Sequence, residues 1–174
     1  MTTEPLTIGN GVKVGDSKIE GAGRGLFVSR AICKGTLFTE FAGKRLVDKF
    51  AAARCAVQTH ILHMSAAREG QLGSDIYIDG ERKPIIGHGG GSFVNHQRFK
   101  KDCNAEFALW NDKVYLRATR DIILEEEVYV HCGTDIDVMM GRKRRIVVKN
   151  SDGKDTIETV TIVLPIDPAE LFAS

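Results

Sequence analysis

The chain has 174 residues, enough for one domain with a sizeable core and too few for two ordinary ones. Its 24 Lys+Arg against 23 Asp+Glu leave a net charge of +1, which argues against holding nucleic acid through overall charge. A content of 43% hydrophobic and 27% charged residues likewise excludes a disordered or fibrous chain.

Met1-Thr-Thr-Glu-Pro5 lacks the basic-then-apolar start of a signal peptide, and no apolar run approaches the roughly 18 residues of a membrane span. The expectation is an intracellular protein with no membrane partner. Cys33, Cys55, Cys103 and Cys132 are far apart, with no C-x-x-C pair, and read as reduced thiols without a metal site.

Glycines punctuate short apolar runs along the chain. Gly25-Leu-Phe-Val28 and Thr36-Leu-Phe-Thr39 come first, rich in aromatic and β-branched residues and bounded by turn formers, and read as strands. A helix is expected from Val47 to about Val57, where Asp48 can cap and Ala51, Ala52, Ala53 and Ala56 favour helical backbone. Thr59 to Met64 reads as a strand, with His60 and His63 as packing or surface residues, and a polar loop from Arg68 to Asp75 returns the chain to Ile76-Tyr-Ile78.

Val114-Tyr-Leu116 and Glu127-Val-Tyr-Val130 follow as strands, with Tyr115 in the core. A basic run, Arg142-Lys-Arg-Arg145, then leads into Ile146-Val-Val148, a Ser151-Asp-Gly-Lys154 turn and the alternating Thr156 to Val163, which is the pattern of a hairpin. Pro165 and Pro168 end regular structure. The expectation is a single domain over residues 1–174, α+β and β-rich, with residues 142–174 as a basic run and β-hairpin extension.

Several glycine-rich strings fail as nucleotide or hydrolase sites. Gly21-Ala-Gly23-Arg-Gly25-Leu26 puts leucine where a dinucleotide fingerprint needs its third glycine, and Gly87 to Ser92 fails at the same place. His88-Gly-Gly-Gly91 is similar to the oxyanion string of some esterases, yet no G-x-S-x-G nucleophile turn accompanies it.

Four segments in order carry a different reading. They are Glu20-Gly-Ala-Gly-Arg-Gly-Leu-Phe-Val28; Ile32 to Gly43, ending Glu40-Phe-Ala-Gly43; Gly91-Ser-Phe-Val-Asn-His96; and Ala118-Thr-Arg-Asp-Ile122 through Glu125-Glu-Glu-Val-Tyr-Val-His-Cys-Gly133. This order resembles the SET-domain lysine methyltransferases, over about Val12 to Asp135. In that family the pieces correspond to the glycine turn, the E-Y-x-G segment, the asparagine-histidine signature and the R-D-I, E-E and Y-G stretch.

The resemblance implies a SET-type, β-clip-like fold of several small sheets in which the asparagine-histidine and C-terminal segments cross. It also implies S-adenosyl-L-methionine as cofactor and methyl transfer to a lysine of a protein or peptide, histone tails among the candidates. Gly23 and Gly25 would let backbone approach the cofactor, beside Arg24. Asn95 would offer amide donors and an acceptor, and His96 would lie against the adenosine. The lysine, with a free pKa of about 10.4, must be neutral to attack, so a narrow apolar channel is required. The terminal hairpin could close that channel.

The catalytic positions depart from the family. Cys132, just before Gly133, stands where the resemblance puts the catalytic tyrosine; Tyr129 lies three residues earlier, and Phe41 takes the tyrosine place of E-Y-x-G. A thiol is a weaker donor than a phenol. The loop from Gln97 to Cys103 is longer and more basic than the family's, with Cys103 where proline is usual. Cys132, Tyr129 and Phe41 are the catalytic candidates. Three outcomes stay open: a lysine methyltransferase with reduced activity, an impaired module that binds cofactor or peptide, and a β-rich interaction protein with no cofactor.

Overall fold

The computed structural model describes residues 4–55, 60–64, 76–131, 143–149 and 151–161. The first half forms β1 (Thr7–Ile8), β2 (Gly11–Asp16), β3 (Arg24–Val28), β4 (Leu37–Glu40), β5 (Gly43–Leu46), α1 (Lys49–Arg54), β6 (Ile61–Met64) and β7 (Ile76–Gly80). The second half adds β8 (Asn95–His96), β9 (Ala105–Trp110), β10 (Lys113–Ala118), β11 (Tyr129–Val130), β12 (Lys143–Lys149) and β13 (Asp155–Thr161). These make small sheets ordered β1-β2-β3, β4-β10-β9, β5-β7-β6, β11-β8 and β12-β13. The architecture is α+β and β-rich.

The expected helix is present but shorter. Asp48 caps it, its carboxylate accepting from the Ala51 N–H at 2.8 Å, but Cys55 already has extended backbone, so the helix is one and a half turns rather than three. The C-terminal hairpin pairs Lys143 with Thr161 through Lys149 with Asp155. Lys143 to Arg145 therefore belong to the strand itself rather than leading into it. Arg54 at the end of α1 pins the hairpin through Asp155, at 2.6 Å. The expected loop at 68–75 and the prolines at 165 and 168 lie outside the described residues, and among those described no helix is long and apolar enough to cross a membrane.

Five strands were not expected: β1, β2, β5, β8 and β9. β9 and β10 are joined by Asn111 and Asp112, both with positive φ (48° and 63°), the geometry of a two-residue hairpin turn that Asn and Asp tolerate.

The main core gathers Leu26 and Val28 of β3, Phe38 of β4, Leu116 of β10, Ile122 and Val128, all almost wholly buried. A second cluster joins Phe41 to Leu62, Ile76, Ile78, Leu109 and Val114. Residues 126–128 run beside β3, with the Val28 N–H donating to the Glu126 carbonyl at 3.2 Å and the Val128 N–H to the Leu26 carbonyl at 2.8 Å. The same segment continues into β11, which pairs in parallel with β8, Tyr129 opposite Asn95 and Val130 opposite His96. A parallel pair needs a crossover, and the β9–β10 hairpin lies in it.

Candidate active site

Two chain crossings meet at the β3, β8 and β11 junction. The turn from Ser17 to Gly23 closes with the Ser17 N–H donating to the Gly23 carbonyl at 2.8 Å, and Gly23 has φ +72°, a left-handed conformation that suits glycine. β3 starts immediately after it. Gly25 faces a buried carboxylate: a Cβ there would lie 2.2 Å from Glu127 Oε1 and 3.2 Å from Asn95 Nδ2. The space beside Gly25 is thus filled by protein, whereas the sequence reading left it for a ligand.

Glu127 organises this junction. It is 1% exposed. Its Oε1 accepts from the Ser17 hydroxyl at 2.6 Å and Asn95 Nδ2 at 3.2 Å; its Oε2 accepts from the Lys18 N–H at 2.8 Å and the Tyr129 hydroxyl at 2.7 Å. Burial, then the hydrogen bond to Glu127 and the charges of Glu127 and Glu126, push the Tyr129 phenol well above its ordinary range. Tyr129 is a neutral phenol whose proton points at Glu127.

Asn95 is buried, and Nδ2 donates both to the Arg24 carbonyl at 2.9 Å and to Glu127. Both partners are acceptors, which fixes the amide orientation. The donors expected of Asn95 toward a ligand are thus spent inside the protein. Among the described residues no donor is seen on its Oδ1, which leaves that oxygen able to accept.

Arg24 turns its guanidinium to the Arg82 carbonyl, 2.8 Å away, and over the Phe93 ring at 5.5 Å. The half-buried His96 ring stacks on His131 with centroids 5.4 Å apart. Burial first, then the nearby His131, lower the His96 pKa, which keeps this ring neutral at pH 7.

Asn104, the residue after the 97–103 loop, is fully buried and stitches the crossing. Its Nδ2 donates to the Glu127 carbonyl at 2.8 Å, and its Oδ1 accepts from the Tyr129 N–H at 2.9 Å. Glu127 and Asn104 are the residues sequence reading missed; the Glu125-Glu126-Glu127 run was noticed without any means of telling which carboxylate is buried.

The structure therefore joins Gly23, Arg24, Gly25, Asn95 and Tyr129 in one network, with His96 at its edge. Phe41 belongs to the second cluster, edge-to-face with Phe107 at 5.8 Å, where Gly91 packs on its backbone just before the turn leading to Asn95. Cys132 lies outside the described residues. Tyr77 stacks on His63 at 4.5 Å and Tyr115 packs against Trp110, so both rings serve packing. Among the described residues no three metal-ligating side chains converge.

The His88-Gly-Gly-Gly91 string has a packing explanation. A Cβ at Gly89, Gly90 or Gly91 would meet the Glu40 carbonyl at 2.3 Å, Leu26 at 2.7 Å or Phe41 Cα at 2.8 Å, and the Gly90 N–H is already given to Thr39 Oγ1. A separate cleft of about 330 Å³ lies beside it, between Leu6, Glu40, Gly43, Glu81 and His88.

A family profile described as the SET domain matches residues 23–133. Among solved structures, CpSET8 from Cryptosporidium is similar with a TM-score of 0.52 and 18% identity, over 70% of this chain and 57% of that one. A humanized mutant of the Chaetomium thermophilum Polycomb Repressive Complex 2, bound to the inhibitor GSK343, gives 0.52 and 21% over 76% of this chain and 16% of that one. An active polycomb repressive complex 2 in the basal state gives 0.53 and 21%, over 75% and 16% respectively. The chain thus spans under two thirds of each of these relatives. A search of curated proteins finds no match.

Proposed function

Since the chain belongs to the SET-domain family, we propose that it transfers a methyl group from S-adenosyl-L-methionine to a lysine side chain of a protein or peptide. The observation that carries this is the state of Asn95: buried, its donors spent on Arg24 and Glu127, with one carbonyl oxygen left to accept. An amino-acid ammonium is a donor that matches it. The chemistry of the donor set therefore fits the cofactor. When bound, S-adenosyl-L-methionine supplies a methyl group on a positively charged sulfur.

The chain's own residues account for the rest. Asn95 orients the ammonium, and the left-handed turn at Gly23 sets the backbone path into β3 beside it. The neutral, stacked His96 offers a flat face suited to a purine. Phe41, with Phe107, gives an apolar wall, and desolvation by such a wall lowers a lysine pKa toward the neutral form that attacks. Alignment in a narrow channel contributes through proximity. By the family resemblance Cys132 takes the sequence place of the catalytic tyrosine, with a thiol in place of a phenol.

A second reading, an impaired module that binds cofactor without turnover, is favoured by one observation. The Tyr129 hydroxyl is committed to a hydrogen bond with Glu127, while Tyr77 and Tyr115 are engaged in packing. Calorimetric titration of S-adenosyl-L-methionine and its demethylated product, with a radiolabel transfer assay on mixed lysine peptides, separates the two. Binding with transfer supports the enzyme, binding without transfer the module, and no binding rejects both. Cys132→Tyr is expected to raise transfer about tenfold or more if the missing phenol limits the rate.

A further inference from the structure

We propose that Glu127 sets the charge preference of the cofactor cleft, favouring a ligand with positive charge at sulfur over its neutral thioether counterpart. This rests on the methyl-transfer reading and assigns Glu127 as a specificity-determining residue.

The Glu125-Glu126-Glu127 run shows why the third carboxylate differs. Glu125 pairs with Lys13 and Glu126 with Arg120, both at the surface. Glu127 is buried, and among the described residues it makes no ion pair. Every contact it has is from a donor. The Lys18 N–H and Asn95 Nδ2 can only donate, and Ser17 Oγ already accepts from the Ile19 N–H at 3.0 Å, so its hydrogen goes to Glu127. With the Tyr129 hydroxyl, four donor groups meet its two oxygens, two at each, and no ion pair balances it among the described residues.

A buried anion satisfied only by neutral dipoles keeps its full charge in a region of low dielectric, where its field falls off slowly. That field acts next to the proposed ligand contacts. Oε1 fills the space beside Gly25 and lies one hydrogen bond from Asn95. Arg24, next to Gly25, directs its guanidinium to the Arg82 carbonyl and the Phe93 ring, Lys18 holds its ammonium over the Phe27 ring at 6.0 Å, and Arg120 pairs with Glu126. A cation in the cleft would supply the opposite charge that Glu127 lacks. After methyl transfer the sulfur is neutral, so the same field would hold the product less firmly than the substrate.

The test is calorimetric titration of the full chain with three ligands that share the adenosine and the amino-acid ammonium: S-adenosyl-L-methionine, its demethylated thioether, and an analogue with a protonated amine in place of the sulfonium. Glu127→Gln keeps the shape and removes the charge. The expected result is a fall of about tenfold in the affinity of both cationic ligands relative to the thioether, about 1.4 kcal/mol. Equal loss for all three ligands overturns the proposal, because a purely structural role would weaken them together.

If Glu127→Gln does not fold, Ser17→Ala and Tyr129→Phe each remove one neutralising donor and leave the carboxylate. The expected sign is then opposite, a rise of about twofold or more in that ratio. An unchanged or lower ratio overturns the proposal. Failure of the wild-type chain to bind any of the three rejects the methyl-transfer reading and this inference together, whereas binding with the wrong ratios rejects the inference alone.

Discussion

Gly25 has no room for a methyl group, because its missing Cβ would sit 2.2 Å from Glu127 Oε1. Gly25→Ala is expected to cost about 2–3 kcal/mol, read as a lower urea midpoint, since the carboxylate cannot move without breaking hydrogen bonds. Gly35→Ala is the control: open space surrounds it, and only its φ of +88° penalises a side chain, by about 1 kcal/mol. Glu125 gives the opposite opportunity. It holds a left-handed φ of +69° without being glycine, and among the described residues its side chain gains one surface pair, with Lys13. Glu125→Gly should therefore raise stability by about 1 kcal/mol in thermal melts, and a fall would mean the ion pair outweighs the backbone strain. The sequence made Gly25 and Asn95 visible as unusual residues, but not what they face. Which of three consecutive glutamates turns inward depends on partners more than a hundred positions away at Ser17 and Lys18, and no local pattern records that.

Elements that alternate and end on turn formers could be read from the chain, as the C-terminal hairpin and β3 were. β5 was hidden because its residues, Gly-Lys-Arg-Leu, are mostly exposed and polar. β9 and β10 did carry a signal, two positive-φ residues, Asn111 and Asp112, between apolar runs, though an Asn-Asp turn is less distinctive than Asn-Gly. β11 lies within the apolar run read as a strand, whereas β8 had no signature of its own because it is two residues long and is held by its parallel neighbour rather than by periodicity. Asn104 supplies much of that hold. Asn104→Ala removes a donor to the Glu127 carbonyl and an acceptor for the Tyr129 N–H, leaving both backbone groups unsatisfied in a buried place. A loss of about 3 kcal/mol is expected in chemical denaturation, with amide exchange at Tyr129 accelerated. If exchange there stayed slow while global stability fell, the crossing would have another support.

At the scale of the whole molecule, two partly buried histidines tie the fold to pH. Burial, reinforced by the positive charges of Arg82 and Arg24, lowers the His60 pKa from 6.5 to about 4, and burial with His131 lowers that of His96 as well. Both groups bind protons more weakly folded than unfolded. Their contribution is fully present above about pH 6.5, and that of His60 is lost progressively as pH falls toward 4, because the unfolded chain takes up the proton first. Glu126 follows in a lower window. Its pKa is lowered, chiefly by the hydrogen bond from Arg120, so its contribution holds above about 4.5 and fades as pH drops below that value. The urea midpoint should thus fall from pH 7 to pH 4.5, before carboxylate protonation dominates. His60→Gln should flatten this part of the curve by up to about 3 kcal/mol, the size of the His60 shift expressed as free energy. A variant that tracked the wild type across that interval would move the acid sensitivity away from His60. His60 shares Arg24 with the proposed cofactor side of the fold: the Arg24 charge acts on His60, and the Arg24 carbonyl accepts from Asn95. Charging His60 therefore acts on the same junction that Glu127 holds from within, and acid should loosen ligand binding before it unfolds the chain.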